Sequence, residues 1–162
     1  MRFKQKLASL LFAVCLSLNL AAAAQQKVTP AVTLQSAVAA GKVEAEFFGT
    51  GASSGDSVKL KVKKGPRAVR GPLKITVPPG SILRSSSGSA QSMVISGVEG
   101  IDKGIDMGGR VFRPTSRIVL NGSSTVTYVL KAFCAEFEKE NPSSFTTFSL
   151  ERPSPVLACI VC

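Results

Sequence analysis

The sequence predicts a mainly β protein: a single antiparallel β-sandwich, loosely immunoglobulin-like, with a short N-terminal helix. Two observations carry this prediction. Apolar and polar residues alternate along several short segments, which is the period-two pattern of a strand with one buried face. These segments recur at intervals of roughly ten residues, and Gly and Pro separate them, as in all-β sandwiches and barrels. A βαβ fold is therefore disfavoured.

The first 24 residues have the three parts of a secretory signal peptide. A basic stretch over residues 1–6 precedes an apolar stretch over residues 7–18, and alanines at residues 21–24 offer a cleavage site. The apolar stretch is shorter than the ~20 residues that a membrane-spanning helix needs. We therefore expect cleavage near Ala24, a secreted or periplasmic product, and no transmembrane span after processing.

A lead-in over residues 25–41 is expected to contain the short helix, and the β domain is expected over residues 42–162. Thr33 can cap the helix, and Gly41 can close it in the left-handed conformation. Proline-containing residues 153–162 are expected to add a terminal helical turn. The strands are expected, in chain order, at residues 43–48, 57–64, 73–77, 81–84, 91–98, 117–120, 125–134 and 143–150.

Two connections stand out in this pattern. The pair Asn121-Gly122 predicts a tight hairpin turn between the segments 117–120 and 125–130, because both residue types tolerate positive φ. The glycine-rich stretch 99–109 is expected to be a solvated loop. Its three acidic residues leave a cation site as the alternative, although the spacing matches no calcium-binding loop pattern.

The lack of histidine restricts the chemistry that this chain can perform. None of the 162 residues is His, which is the commonest general base and metal ligand. Ser-His-Asp and Cys-His catalysis are therefore excluded, together with His-based zinc sites. The sequence predicts no catalytic residue, no metal and no cofactor.

A basic cluster is the strongest surface signal. The leader holds three of the 20 basic residues and no acidic one, so the product has a net charge of +7. Six cations fall within 12 residues, and alternation places the first three on one strand face: Lys59, Lys61, Lys63, Lys64, Arg67 and Arg70. Such a stripe can bind an anionic envelope polymer or another envelope protein. Nucleic acid is disfavoured because no aromatic side chain is interleaved with the charges. The alternative is an edge strand that lysines protect from pairing.

Three cysteines follow the leader: Cys134, Cys159 and Cys162. In an oxidising compartment we expect Cys134 to be bridged to Cys159 or to Cys162, between which the sequence does not choose. An intermolecular link, a redox pair and a metal-handling role are the alternatives for these thiols.

Four short strings resemble secreted bacterial β-domains that have no assigned activity. They are residues 49–55 (GTGASSG), 78–80 (PPG), 91–93 (QSM) and 133–137 (FCAEF). The resemblance implies export and a β fold, and it carries no catalytic motif.

These features together predict an exported, non-catalytic binding or structural module. It would contact an anionic envelope component or a partner protein through the basic strand. Two alternatives stay open. One is a His-free secreted hydrolase that uses paired carboxylates or a lysine-assisted serine. The other is a periplasmic protein that handles thiols or metals.

Overall fold

The structure is a computed structural model that describes residues 30–106 and 109–151. The predicted signal peptide at residues 1–24 and the predicted terminal turn at residues 153–162 lie outside these residues. Within the described residues, no helix is long and apolar enough to cross a lipid bilayer.

The mainly β prediction is confirmed, with ten strands and one short helix in the described residues. They are β1 (Val32–Thr33), α1 (Leu34–Ala39), β2 (Val43–Gly49), β3 (Ser54–Lys64), β4 (Leu73–Thr76), β5 (Ser81–Ser85), β6 (Met93–Asp106), β7 (Gly109–Pro114), β8 (Ile118–Leu120), β9 (Val126–Cys134) and β10 (Thr147–Leu150). The helix begins as expected, because the Thr33 side chain accepts a hydrogen bond from the Ser36 N–H. It is followed by Gly41, which has a φ of 66°.

Six strands close into an antiparallel barrel in the order β2-β3-β9-β6-β5-β10. The ring closes because β5 pairs with β10 along one edge and with β6 along the other. β7 pairs with the later part of β6. The predicted sandwich is therefore replaced by a barrel, in which strands that would be sheet edges bond to each other.

A second, three-stranded sheet has the order β1-β4-β8. Its inward side chains, such as Ile75 and Ile118, join the same buried cluster as the barrel residues Leu60 and Leu130. Leu34 of α1 also belongs to this cluster. The small sheet and the helix therefore share one hydrophobic core with the barrel.

β3 shows the predicted alternation. Val58, Leu60 and Val62 are fully buried, and the intervening lysines lie on the outer face. β3 pairs with β2 on one side and β9 on the other. The alternative of an edge strand protected by lysines is therefore wrong, since β3 has no free edge over this length.

The hairpin predicted at Asn121-Gly122 is not formed. β8 pairs with β4 of the small sheet, whereas β9 pairs with β3 and β6 of the barrel. Neither Asn121 nor Gly122 takes a positive φ. The segment connects two sheets, so the tight primed turn that the pair favours is not needed.

The loop predicted over residues 99–109 is also wrong, because β6 and β7 pair through most of it. Two glycines of β6, Gly104 and Gly100, make this pairing sterically possible. Gly104 has a φ of 102° at a register shift that follows Asp102, as in bulges that place glycine in the left-handed region. At Gly100, a Cβ atom would lie 2.5 Å from the Arg113 carbonyl oxygen of β7. Here glycine permits a close strand approach instead of marking a loop.

Candidate functional site

Two of the three lysines on the outer face of β3 are paired with acids. Lys63 Nζ lies 2.7 Å from Glu44 Oε2, directly opposite on β2. Lys59 Nζ lies 2.8 Å from Asp102 Oδ2, whose side chain is 7% exposed. The hydrogen bond that Lys63 donates to the Glu44 carboxylate raises the pKa of Lys63, so this lysine stays protonated. The face that the sequence predicts as a basic stripe is therefore a ladder of opposite charges.

The third lysine of this face, Lys61, packs on an aromatic ring. Its Nζ lies 4.7 Å from the centre of the Phe48 ring on β2, which is a cation–π distance. Glu46 is the residue opposite Lys61 in the strand register. The outer face of β2 and β3 thus alternates acids, lysines and one ring, and its positive charge is balanced locally.

The other three cations of the predicted basic cluster lie at the end of β3 and in the loop that follows it. Together with Lys42 they form a group that we call the cationic end. It consists of Lys42, Lys64, Arg67 and Arg70. Within the described residues these four form no ion pair with an acid, and both arginines are exposed. Lys42 joins the group because its carbonyl accepts a hydrogen bond from the Gly65 N–H at 2.9 Å.

Backbone contacts hold this end in place. The Arg67 N–H donates to the Gly41 carbonyl at 3.1 Å, which ties the loop after β3 to the end of α1. The Lys64 ammonium donates to the carbonyl oxygens of Gly71 and Asn121. Lys64 thereby links the segment before β4 to the segment after β8. Both arginines face solvent.

The other end of the barrel carries an open hollow of about 520 Å³ that we call the aromatic hollow. It lies where β3 begins and β9 ends, roughly 30 Å from the cationic end at the rise of a strand of 11 residues. Its lining is uncharged and is made of Ser53, Ser54, Gln91, Phe133, Cys134, Phe137 and Asn141. Among these residues, the sequence predicts Cys134 as a disulfide partner, and it gives no signal for a binding hollow.

Main-chain hydrogen bonds bring the walls of the hollow together. The Cys134 N–H donates to the Ser53 carbonyl at 3.1 Å, and the Ala135 N–H donates to the Ser92 carbonyl at 2.9 Å. Three of the four strings noted in the sequence therefore meet here, although they are far apart along the chain.

A small polar network forms part of the lining. Gln91 is 5% exposed, and its Nε2 donates to Asn141 Oδ1 at 3.1 Å. The Cys134 thiol faces the same oxygen at 3.9 Å. Among the described residues, Gln91 Oε1 is buried and has no hydrogen-bond partner. An unsatisfied buried carbonyl is costly in a native structure.

Two aromatic rings stand on the rim of the hollow. The Phe137 side chain is 95% exposed and Phe133 is 44% exposed. A third ring, Phe145, is 90% exposed and lies outside the lining, on the connection between β9 and β10. Exposed apolar rings that line a concavity are typical of binding surfaces. The exposure of these rings is hard to predict from the sequence, because no local pattern shows that these Phe side chains lie outside the core.

Cys134 is the one cysteine in the described part of the chain, and it is a free thiol there. Burial raises the pKa of this thiol, so it is a poor nucleophile at neutral pH. Its predicted partners Cys159 and Cys162 lie outside the described residues. The bridge stays a prediction.

Glu136, an acid at this end of the barrel, is held in structural contacts. Glu136 accepts hydrogen bonds from the Lys139 ammonium and from the Ser92 N–H, at 2.8 and 2.9 Å. These contacts lower the pKa of Glu136 to about 2, and the hydrogen bond from Lys139 has a larger effect than the one from the Ser92 N–H. A hydrolytic general acid needs a raised pKa, so Glu136 is unsuited to that role.

Two of the three acids in the glycine-rich stretch 99–109 are paired with lysines. Glu99 Oε2 lies 2.7 Å from Lys131 Nζ, and Asp102 contacts Lys59. Among residues 30–106 and 109–151, no group of three or more His, Cys, Asp or Glu side chains is placed to hold a metal ion.

No protein-family model matches the chain, and no curated protein or solved structure is significantly similar to it.

Proposed function

We propose that this chain is an exported, non-catalytic binding module whose cationic end contacts an anionic polymer of the cell envelope. One contrast carries the proposal: the β3 lysines Lys59 and Lys63 are paired with acids, whereas the arginines of the cationic end face solvent. Export rests on the leader that the sequence predicts.

The cationic end suits a polymer with repeated negative charges. Arg67 and Arg70 lie three residues apart on a loop that hydrogen bonds fix to the barrel. Guanidinium groups bind phosphate, sulfate and carboxylate in a bidentate manner and are weakly hydrated. The net charge of +7 adds a long-range attraction, which salt screens.

The test measures the affinity for heparin, a sulfated polysaccharide, at several salt concentrations. Removing both guanidinium groups in the variant Arg67→Gln with Arg70→Gln should weaken binding. It should also lower the slope of log K against log salt by about 2, one for each lost contact.

The matched control is Arg84→Gln with Lys131→Gln. These cations lie in ion pairs with Glu151 and Glu99, and their removal changes the net charge by the same amount. The control should lose less affinity and keep the slope of the parent protein. Equal losses in both variants would show that only net charge matters, and the proposed site would be wrong.

A further inference from the structure

We infer that the aromatic hollow is a second binding site, separate from the cationic end, and that it takes a neutral saccharide unit. The inference rests on the buried unpartnered carbonyl of Gln91, on the exposed ring of Phe137 and on the uncharged lining.

The polar groups call for a ligand that can both donate and accept hydrogen bonds. Gln91 Oε1 is fully buried and lacks a donor among the described residues, so the Gln91 side chain must turn towards the hollow before a ligand hydroxyl can donate to it. Ser53 and Ser54 bring hydroxyl groups that donate or accept, and the exposed Asn141 adds an amide. Hydroxyl groups have the same dual capacity, so a polyhydroxylated ligand matches this lining.

The rings provide a complementary surface for such a ligand. Phe137 and Phe133 offer apolar ring faces at the mouth of the hollow. A pyranose ring presents C–H groups on one face and hydroxyl groups around its edge. It can therefore stack on a Phe ring while its hydroxyl groups reach the amides and serines below.

The closed sheet favours a saccharide over an extended peptide. Peptides commonly bind by adding a strand to an exposed sheet edge. At the hollow, the end of β9 already pairs with β3 on one side and with β6 on the other. The Cys134 N–H already donates to the Ser53 carbonyl. Recognition here must use side chains, and these are uncharged, so charged ligands gain nothing from them.

The test is a titration of the folded protein with chitotriose and with maltotriose, followed by NMR. We expect millimolar affinity and shifts of the Gln91 side-chain amide and of the Phe137 backbone amide. Phe137→Ala should weaken binding at least about tenfold, because the ring that stacks on the sugar is lost. Gln91→Met should also weaken binding, because it removes the carbonyl that a ligand hydroxyl would contact. It removes the hydrogen bond from Gln91 Nε2 to Asn141 as well, so its thermal midpoint is measured to show that the variant is folded.

The matched control is Phe145→Ala, which removes an equally exposed ring outside the hollow and should bind as the parent does. The variant Arg67→Gln with Arg70→Gln should also bind saccharide normally, so this inference and the proposed function fail separately. The inference is overturned if neither saccharide shifts the lining residues, or if Phe137→Ala binds normally. It is also overturned if Phe145→Ala loses as much affinity or if an uncharged tripeptide binds better.

Discussion

The Tyr128 hydroxyl hydrogen-bonds to both main-chain groups of Val119. It accepts from the Val119 N–H at 3.1 Å and donates to the Val119 carbonyl at 3.3 Å. Tyr128 belongs to β9 of the barrel, and Val119 belongs to β8 of the small sheet. Because main-chain groups alternate in direction along a strand, Val119 turns this pair away from its neighbour β4. The Tyr128 hydroxyl thus satisfies the outward main-chain groups of β8, as an adjacent strand would do.

Tyr128→Phe should destabilise the protein by about 1–2 kcal/mol, because it leaves the Val119 N–H and carbonyl without their partner. The ring is buried and keeps its packing, so the change isolates the hydroxyl. Urea denaturation at an unchanged m-value measures the loss. Hydrogen exchange provides an internal control: the Val119 amide should exchange faster, whereas Leu120, whose main chain faces β4, should keep its protection. Unchanged exchange at Val119 would contradict the assigned contact.

The contacts of Glu136 predict a loss of stability at acidic pH. Its pKa is lowered from 4.5 to about 2 in the folded protein, so folding favours the ionised carboxylate. The resulting stabilisation is fully present above pH 4.5 and is lost as the pH falls from 4.5 towards about 2. The difference in unfolding free energy between the parent and Glu136→Gln should therefore shrink over this window. Glu138→Gln is the control, because Glu138 has no hydrogen bond or ion pair to another described residue. An equal pH dependence of both variants would contradict the prediction.

Cys134 should react slowly with iodoacetamide in the folded protein. Burial raises the pKa of the thiol, which lowers the fraction of thiolate, the reactive form, at pH 8. The chain without residues 1–24, carrying Cys159→Ser and Cys162→Ser, reports on this thiol alone. Its alkylation should be slower than that of free cysteine and should accelerate in urea. Rapid alkylation of the folded chain would contradict the assigned environment.

The predictions that hold depend on local patterns. Alternation along β3 identifies its buried and exposed faces, since Val58 and Lys59 must point in opposite directions in any strand. Thr33 and Gly41 mark the ends of α1 for equally local reasons, a side-chain cap and a left-handed closing residue.

The predictions that fail depend on which strands become neighbours. Asn121-Gly122 has the right composition for a hairpin, yet its flanking strands belong to different sheets. The pairing of Lys59 with Asp102 is invisible in the sequence, because β6 is not adjacent to β3 and the two residues lie far apart along the chain. The unpartnered carbonyl of Gln91 is likewise a product of tertiary packing.

The place of β10 in the barrel has a consequence for how the molecule assembles. This four-residue strand fills the gap between β2 and β5, and Phe148 is opposite both Phe47 and Ser85. The contact between Phe148 and Phe47 spans about a hundred residues, the kind of distant pairing that slows folding. A nascent chain cannot complete the ring until residue 147 and the residues after it have been synthesised. Until then, β2 and β5 each have an unpaired edge to which other chains can bind. Pairing with β10 closes the barrel and removes both edges as sites of aggregation.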